Sequence, residues 1–421
     1  MLHRSSDVPH QQRDEQNTTE TQSRPITAPF SFLLAATILV PIAPEARLTL
    51  FDLVAVLLIL HYRSSVMNVF RPTIIVMVIS LAAMIVSANL HGSEMRALIG
   101  RAYQIVALVV EMIGFFLLLW HTDDRGRSAA TFGAMAGMCC HYFYPSDLRV
   151  ITEPIKFLLG IPLGVGLLAL YALTVKRATA TIAIAAVLMV AYAGFCLFVG
   201  SRSIGGVYFV SALLVVSIGA IRIPTNYAKL APLLIVVIAL AGYAVTELYT
   251  ALAIGGYFGD RAAGIAAFQS SYGSILLGGR PEIIVNMSGI KDAPIFGSGI
   301  LNYPSLYIYE MINLSIYTPD VVLDLSNILY HSAIFATAFE SGIFSAMLYA
   351  GLLYRALFCI PLLKNLAVAQ RAFAMPLVLI TVWHLLFSPP IPYNRFVMSI
   401  GMAIVFFVYH RWRQTRDLVA A

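Results

Sequence analysis

Arg202 stands in the segment Gly200-Ser201-Arg202-Ser203, followed by Gly205 and Gly206. A helix that begins there offers free N–H groups and the positive end of its dipole. With the hydroxyls of Ser201 and Ser203 and the guanidinium, the segment has the parts of a phosphate site. The competing reading is an arginine that reaches to a membrane interface and fixes topology. Arg261 and Arg280 are the two other strong cations placed where an anionic headgroup could reach them. His331 follows Ser326 and Asn327. A neutral imidazole, with an ordinary pKa of about 6.5, suits removal of a proton from an acceptor hydroxyl. An interfacial histidine bonded to headgroups is the commoner occurrence. Glu340, nine positions on, falls on the opposite face of the same helix and roughly 13 Å deeper. A carboxylate inside a membrane must find a partner or hold a proton, so the sequence favours Glu340 as a pin to another helix over a proton path.

Other charged or glycine-rich segments read as structural. Asp123-Asp124 sits in a short hinge without a Rossmann-like βα unit and reads as a solvated charge pair rather than a metal–nucleotide motif. Pro294-Ile295-Phe296-Gly297-Ser298-Gly299 lacks the Lys-Ser/Thr of a phosphate loop and reads as a tight bend between surface helices. Asp52, Glu111 and His384 lie in apolar runs and receive no chemistry. Cys139, Cys140, Cys196 and Cys359 have no zinc-site spacing and no expected disulfide, and no metal or cofactor is expected.

The elements that must position these residues are apolar. Hydrophobic residues make up 59% of the 421 and charged residues 11%, with a mean hydropathy of +0.82. A soluble surface needs about 25% charge, so the composition excludes a soluble enzyme. The net charge of +6 comes from basic residues spread singly or in pairs, with no contiguous patch for nucleic acid. Windows of about 19 residues place about twelve spans, near 27–43, 48–62, 72–90, 101–120, 128–143, 155–173, 178–199, 203–221, 230–253, 332–356, 372–389 and 394–410. A polar tail, 1–26, precedes them and reads as disordered and cytoplasmic. Spans one to nine fill 27–253, a long loop covers 254–330, the last three spans fall in 331–410, and a cytoplasmic tail closes the chain at 411–421. With the N-terminus inside, about 17 of the 27 Lys and Arg fall on the cytoplasmic side against 10 outside. The long loop then faces outward. It is too apolar and aromatic for disorder and should fold onto the membrane surface. Within it, Arg280-Pro281-Glu282 has the order of a helix start, and Ile283, Ile284, Met287 and Ile290 continue it as an amphipathic interfacial helix. No internal repeat of the inverted-transporter kind is visible.

Taken in order, these landmarks resemble the O-antigen ligase and Wzy-type polymerase superfamily of bacterial envelope glycosyltransferases. Ser201-Arg202-Ser203 opens a late span as the family's Ser-Arg does. Gly279-Arg280, Asp292-Ala293-Pro294 and Gly297-Ser298-Gly299 are similar to the family's Gly-Arg helix and Pro-x-x-Gly-x-Gly turn, and His331 and Glu340-Ser341-Gly342 follow in the family's order. The resemblance covers chiefly 195–350. Ser332 stands where the family often has Asn, Ser345 where it has a second Gly, and the aromatic usually found after the loop Arg is absent. The resemblance implies an all-α integral membrane fold of the GT-C type with one large extracytoplasmic loop carrying interfacial helices, in a bacterial inner membrane. It implies a metal-independent, inverting transfer of an undecaprenyl-diphosphate-linked glycan at the periplasmic face. Arg202, Arg280 and Arg261 would hold the diphosphate, His331 would act as base, and Ser201, Ser203 and Glu340 would support them. Tyr303, Tyr307, Tyr309 and Tyr317 would offer stacking surfaces for sugars, although Tyr at an interface is ordinary. The acceptor is a growing glycan for a polymerase, the preferred reading, or lipid A core for a ligase. A flippase and a chain-length regulator are implied partners. A multi-pass transporter or flippase is the reading from a different class.

Overall fold

The computed structural model describes residues 26–43, 48–143, 151–175, 182–220, 240, 243–244, 247–270, 282–301, 332–389 and 391–420. The expected polar tail and most of the ninth span lie outside these residues. So do Arg280, His331 and the four loop tyrosines. The helices are α1 (Ala28–Ala36), α2 (Leu50–His61), α3 (Arg63–Leu90), α4 (Met95–Trp120), α5 (Asp124–Cys140), α6 (Gly160–Thr174), α7 (Ile182–Phe198), α8 (Arg202–Ala220), α9 (Asp260–Ser270), α10 (Glu282–Asp292), α11 (Ala333–Ser341), α12 (Ile343–Cys359), α13 (Val368–Phe387) and α14 (Pro392–Ala420).

Among the described residues, five helical segments are long and apolar enough to cross a membrane: Arg63–Leu90, Met95–Trp120, Ile155–Thr174, Ile343–Asn365 and Val368–Phe387. Leu50–His61, Ile182–Phe198 and Arg202–Ile218 are equally apolar but shorter. The outward faces match a lipid environment. Leu57 and Val187 each keep 66% of their surface exposed, although both are aliphatic. An all-α membrane protein accounts for this, because lipid tails cost an exposed leucine nothing.

Four differences from the sequence reading have local causes. The expected first span contracts to the nine residues of α1, because Pro41–Ala43 (β1) leaves the helix and pairs antiparallel with Leu48–Thr49 (β2). Among the described residues, the fold is therefore all-α except for this small ribbon. The expected polar hinge at 63–71 is helical from Arg63, with Pro72 inside α3. The tenth span is not continuous: it breaks at Gly342 into α11 and α12. The last helix does not stop at 410 but continues to Ala420.

The hinge acids are explained by capping. Asp123 N-caps α5, its carboxylate accepting from the Gly126 N–H at 2.7 Å, while Asp124 pairs with Arg127. Asp123→Ala is expected to cost about 1 kcal/mol, read as a lower melting temperature without loss of expression.

α4 is the axis of the bundle, packed on α14, α2 and α3. Its C-terminal end carries an aromatic layer: the Trp120 ring lies 5.7 Å from Phe116, 6.0 Å from Phe407 and 5.0 Å from His410. Arg355 from α12 lies over the Phe406 ring at 4.5 Å, so α12 ends in the same layer. Glu111 is nine residues before Trp120 on α4, about 14 Å along the axis, and Arg101 is nineteen before it, about 29 Å. Two buried ion pairs thus sit at different depths of one bundle, one about half-way and one near the far end.

Candidate functional site

Hydrogen bonds from serine and tyrosine hydroxyls tie several helix starts to neighbouring elements. Ser93, just before α4, accepts the Ile300 N–H at 2.9 Å through its hydroxyl. The Ser332 hydroxyl caps α11, accepting from the Phe335 N–H, and donates to the Leu385 carbonyl near the end of α13 at 3.4 Å. α14 begins a few residues after α13 ends, and its Tyr393 hydroxyl donates to the Leu158 carbonyl just ahead of α6. Tyr208, two turns into α8, donates to the Ile161 carbonyl at 3.2 Å. The last three contacts link the starts of α6, α11 and α14 with the end of α13 and the second turn of α8, while residue 300 sits beside the approach to α4; α14 starts beside the middle of α4, where Arg395 meets Glu111.

The Ser201–Arg202 segment is a tight junction between α7 and α8. Gly200, at φ 81°, ends α7: its N–H donates to the Leu197 carbonyl at 3.1 Å and the Ser201 N–H to the Cys196 carbonyl at 2.7 Å. This paired closure needs a left-handed residue, which glycine adopts without a Cβ penalty. The Ser201 carbonyl then accepts the Gly205 N–H at 3.0 Å and starts α8. Ser201 is 2% exposed, and its hydroxyl has no hydrogen-bond partner. Beside it the Arg202 guanidinium lies 5.4 Å from the centre of the Tyr249 ring. Ser203 is half-buried on the same first turn. An unused buried hydroxyl, a guanidinium and the first-turn N–H groups of one helix together suit an anion.

Glu340 is 2% exposed, and both of its oxygens accept from Arg101 on α4, from Nε and from a terminal nitrogen, each at 3.1 Å. The carboxylate ties α11 to α4, the pinning role its depth suggested. The break that follows it is filled by the glycine turn. The Ser298 and Gly299 N–H groups donate to the Phe339 and Glu340 carbonyls at 2.9 Å, and the Ile343 N–H donates to the Pro294 carbonyl at 2.9 Å. Ser87 from α3 donates to the Phe296 carbonyl at 2.6 Å. Pro294 to Gly299 is therefore not a bend between surface helices. It supplies the donors and acceptors that an interrupted helix leaves open in a medium without water. Gly342 (φ 81°) and Gly297 (φ 66°) face each other across this joint, and a Cβ on either would strike backbone of the other strand. Gly342→Ala combines that collision with a left-handed backbone. It is expected to cost about 3 kcal/mol or more, seen as loss of monodisperse protein in detergent.

The expected helix after Arg280 is present as α10. Its Ile284 and Met287 face outward, whereas its buried face carries Val285 and Gly289 together with the polar Glu282 and Asn286, turned toward α11. Arg261 lies in the second position of α9. Of the expected site residues, Ser201, Arg202, Ser203 and Glu340 are described with their side chains, the first three at the α7–α8 junction and Glu340 on Arg101. His331 and Arg280 lie outside the described residues.

The sequence reading gave Glu111 no chemistry and named neither Arg101 nor Arg395 as a partner for a buried carboxylate. Arg395 is 1% exposed and pairs with Glu111, which is fully buried, through Nε at 2.8 Å and a terminal nitrogen at 2.7 Å. The available signal was the unpaired Glu111 in an apolar run, which required a cation from another span. Hydropathy does not say which span supplies it. Among the described residues, no group of three His, Cys, Asp or Glu is placed to hold a metal ion. The sequence matches no protein-family model, and a search of curated proteins finds no significant relative.

Proposed function

We infer that the protein is a polysaccharide polymerase of the bacterial inner membrane, transferring undecaprenyl-diphosphate-linked glycan repeats to a growing glycan at the periplasmic face. The observation that carries this reading is the α7–α8 junction, where the buried, unpartnered Ser201 hydroxyl and the Arg202 guanidinium stand at a helix start. Arg202, with Arg280 and Arg261, holds the donor diphosphate and stabilises the charge that develops as it leaves. His331 takes the proton of the acceptor hydroxyl. One displacement with one base and no enzyme nucleophile inverts the anomeric carbon. The bundle crosses the membrane about twelve times, in a GT-C-like arrangement whose site end is periplasmic.

Ligation to lipid A core uses the same chemistry with a different acceptor. A transporter is the second reading, favoured by the helix broken at Gly342 and by the ion cluster half-way along α4, features that transporters use. Purified protein in detergent, given lipid-diphosphate-linked repeats and no ion gradient, is expected to release longer glycans on the lipid carrier. Absence of transfer alongside gradient-driven uptake in liposomes sinks the transferase reading. In a deletion strain, lipid A bearing single repeats supports a polymerase, whereas lipid-linked polymer beside bare core supports a ligase.

A further inference from the structure

A groove of about 530 Å³ runs between α6 and α7. Gly164, Leu168 and Thr174 line it from α6, and Leu188, Ala191 and Phe195 from α7. It is open because the two helices are held elsewhere: α6 packs on α5 and α13, and α7 on α8. They are tied to each other where the Tyr192 hydroxyl donates to the Gly160 carbonyl at 2.6 Å. Gly164 permits that approach, since a Cβ there would collide with the Tyr192 ring and the Tyr208 hydroxyl. From Gly164 the groove continues along α6 to Thr174, about 15 Å further.

The lining decides what can fill it. Leu188, Ala191 and Phe195 are exposed on an apolar helix, and α6 belongs to a segment long and apolar enough to cross a membrane. Hydrocarbon surroundings hold no water to occupy such a groove, and an empty one forfeits the dispersion contacts of its walls. A hydrocarbon chain restores them. The position of the groove says whose chain it is. Phe195 lies in the last turn of α7, directly before the Gly200 closure that leads to Ser201 and Arg202. An anionic headgroup held by the Arg202 guanidinium, the unpartnered Ser201 hydroxyl and the first-turn N–H groups of α8 would have its tail led into the groove. Two neighbouring helices bound the groove, which suits a single chain, whereas a phospholipid carries two.

We propose that the α6–α7 groove binds the hydrocarbon chain of a single-chain polyprenyl diphosphate lipid whose diphosphate sits at Ser201 and Arg202. The identity of the lipid rests on the transferase reading. The groove adds where the chain lies, and it makes Leu188 and Ala191 residues that select a long-chain donor although they touch no reacting atom.

The test places the full chain in phosphatidylcholine nanodiscs with a polyprenyl diphosphate that carries a diazirine on its chain, then maps the labelled peptides after illumination. Labels are expected on α6 between Gly164 and Thr174 and on α7 between Leu188 and Phe195. Ala191→Trp sets an indole into the groove from an exposed position, so the fold should persist and most of the labelling should be lost. Val187→Trp, on the lipid-facing side of the same helix, should label as the wild type does. Arg202→Ala should lower labelling on both helices, because the chain loses its anchor. In transfer assays Ala191→Trp should raise KM for a long-chain donor and leave it unchanged for a donor whose chain is too short to reach Ala191. Labels that spare α6 and α7, or that persist in Ala191→Trp, overturn the groove. Unchanged labelling in Arg202→Ala overturns its link to the junction. Equal labelling of the groove by a diacyl phosphatidylglycerol with the same diazirine overturns the choice of chain. Groove labelling as expected in a protein that transfers no glycan upholds the lipid site and removes the transferase reading, so the two fail separately.

Discussion

Arg395→Ala is expected to destabilise the protein by about 3–5 kcal/mol, the scale for removing one partner of a buried ion pair. The side chain is 1% exposed, and its loss strips Glu111 of two charge-assisted bonds at 2.8 and 2.7 Å. What remains is the buried Glu111 carboxylate with the Ser399 hydroxyl at 2.9 Å. Thermal unfolding in detergent should show the loss as a large drop in melting temperature. Lowering the pH should restore part of it, since a proton neutralises the stranded carboxylate. The double variant Glu111→Leu with Arg395→Met should melt above Arg395→Ala, because replacing a buried pair by apolar side chains of similar volume removes both desolvation costs. Wild-type melting of Arg395→Ala would mean that water reaches the cluster and that the pair is not a structural joint.

The second large effect concerns activity. Arg202→Ala is expected to lower the initial rate of glycan transfer roughly 10²–10³-fold, the loss typical of one preorganised donor to a developing negative charge. Its melting temperature should stay near wild type, because the Arg202 side chain is only half-buried. Arg202→Lys should recover little of the rate, since an ammonium keeps the charge but loses the two-pronged geometry that suits a diphosphate. Ser201→Ala should cost less, about tenfold, as one neutral donor is lost. Full transfer by a correctly folded Arg202→Ala protein would move the diphosphate site away from the α7–α8 junction. Comparing rates at saturating and limiting donor separates weaker binding from a slower chemical step.

The apolar character of the chain was legible because it is a sum over residues. So was the existence of most helices, since runs of Leu, Val, Ile and Ala long enough to reach across hydrocarbon are helical wherever they fall. The helix over Glu282–Asp292 was legible too, because Ile283, Ile284, Met287 and Ile290 recur at helical spacing after a Pro-Glu pair. Local signals also misled. Arg63 to Arg71 looked like a polar hinge, yet Ser, Met, Asn and Arg continue a helix readily once the following turn is anchored. The turn from Pro294 to Gly299 looked like a surface bend because its partner, the open backbone at Gly342, lies some forty residues further along the chain.

The sequence by itself determined the membrane class, the apolar helices, and the isolated Ser-Arg-Ser and Glu-Ser-Gly segments that invite a function. These depend on composition and on spacings of a few residues, over which backbone sterics and burial act directly. Only the tertiary structure decided the pairings: Glu340 with Arg101, Glu111 with Arg395, and the glycine turn with the broken helix. The physical reason is that an ionised or hydrogen-bonding group buried in an apolar bundle must be matched, but the requirement names only a charge or a donor. Which of the chain's 27 basic residues meets it is set by which helices pack side by side and at what depth.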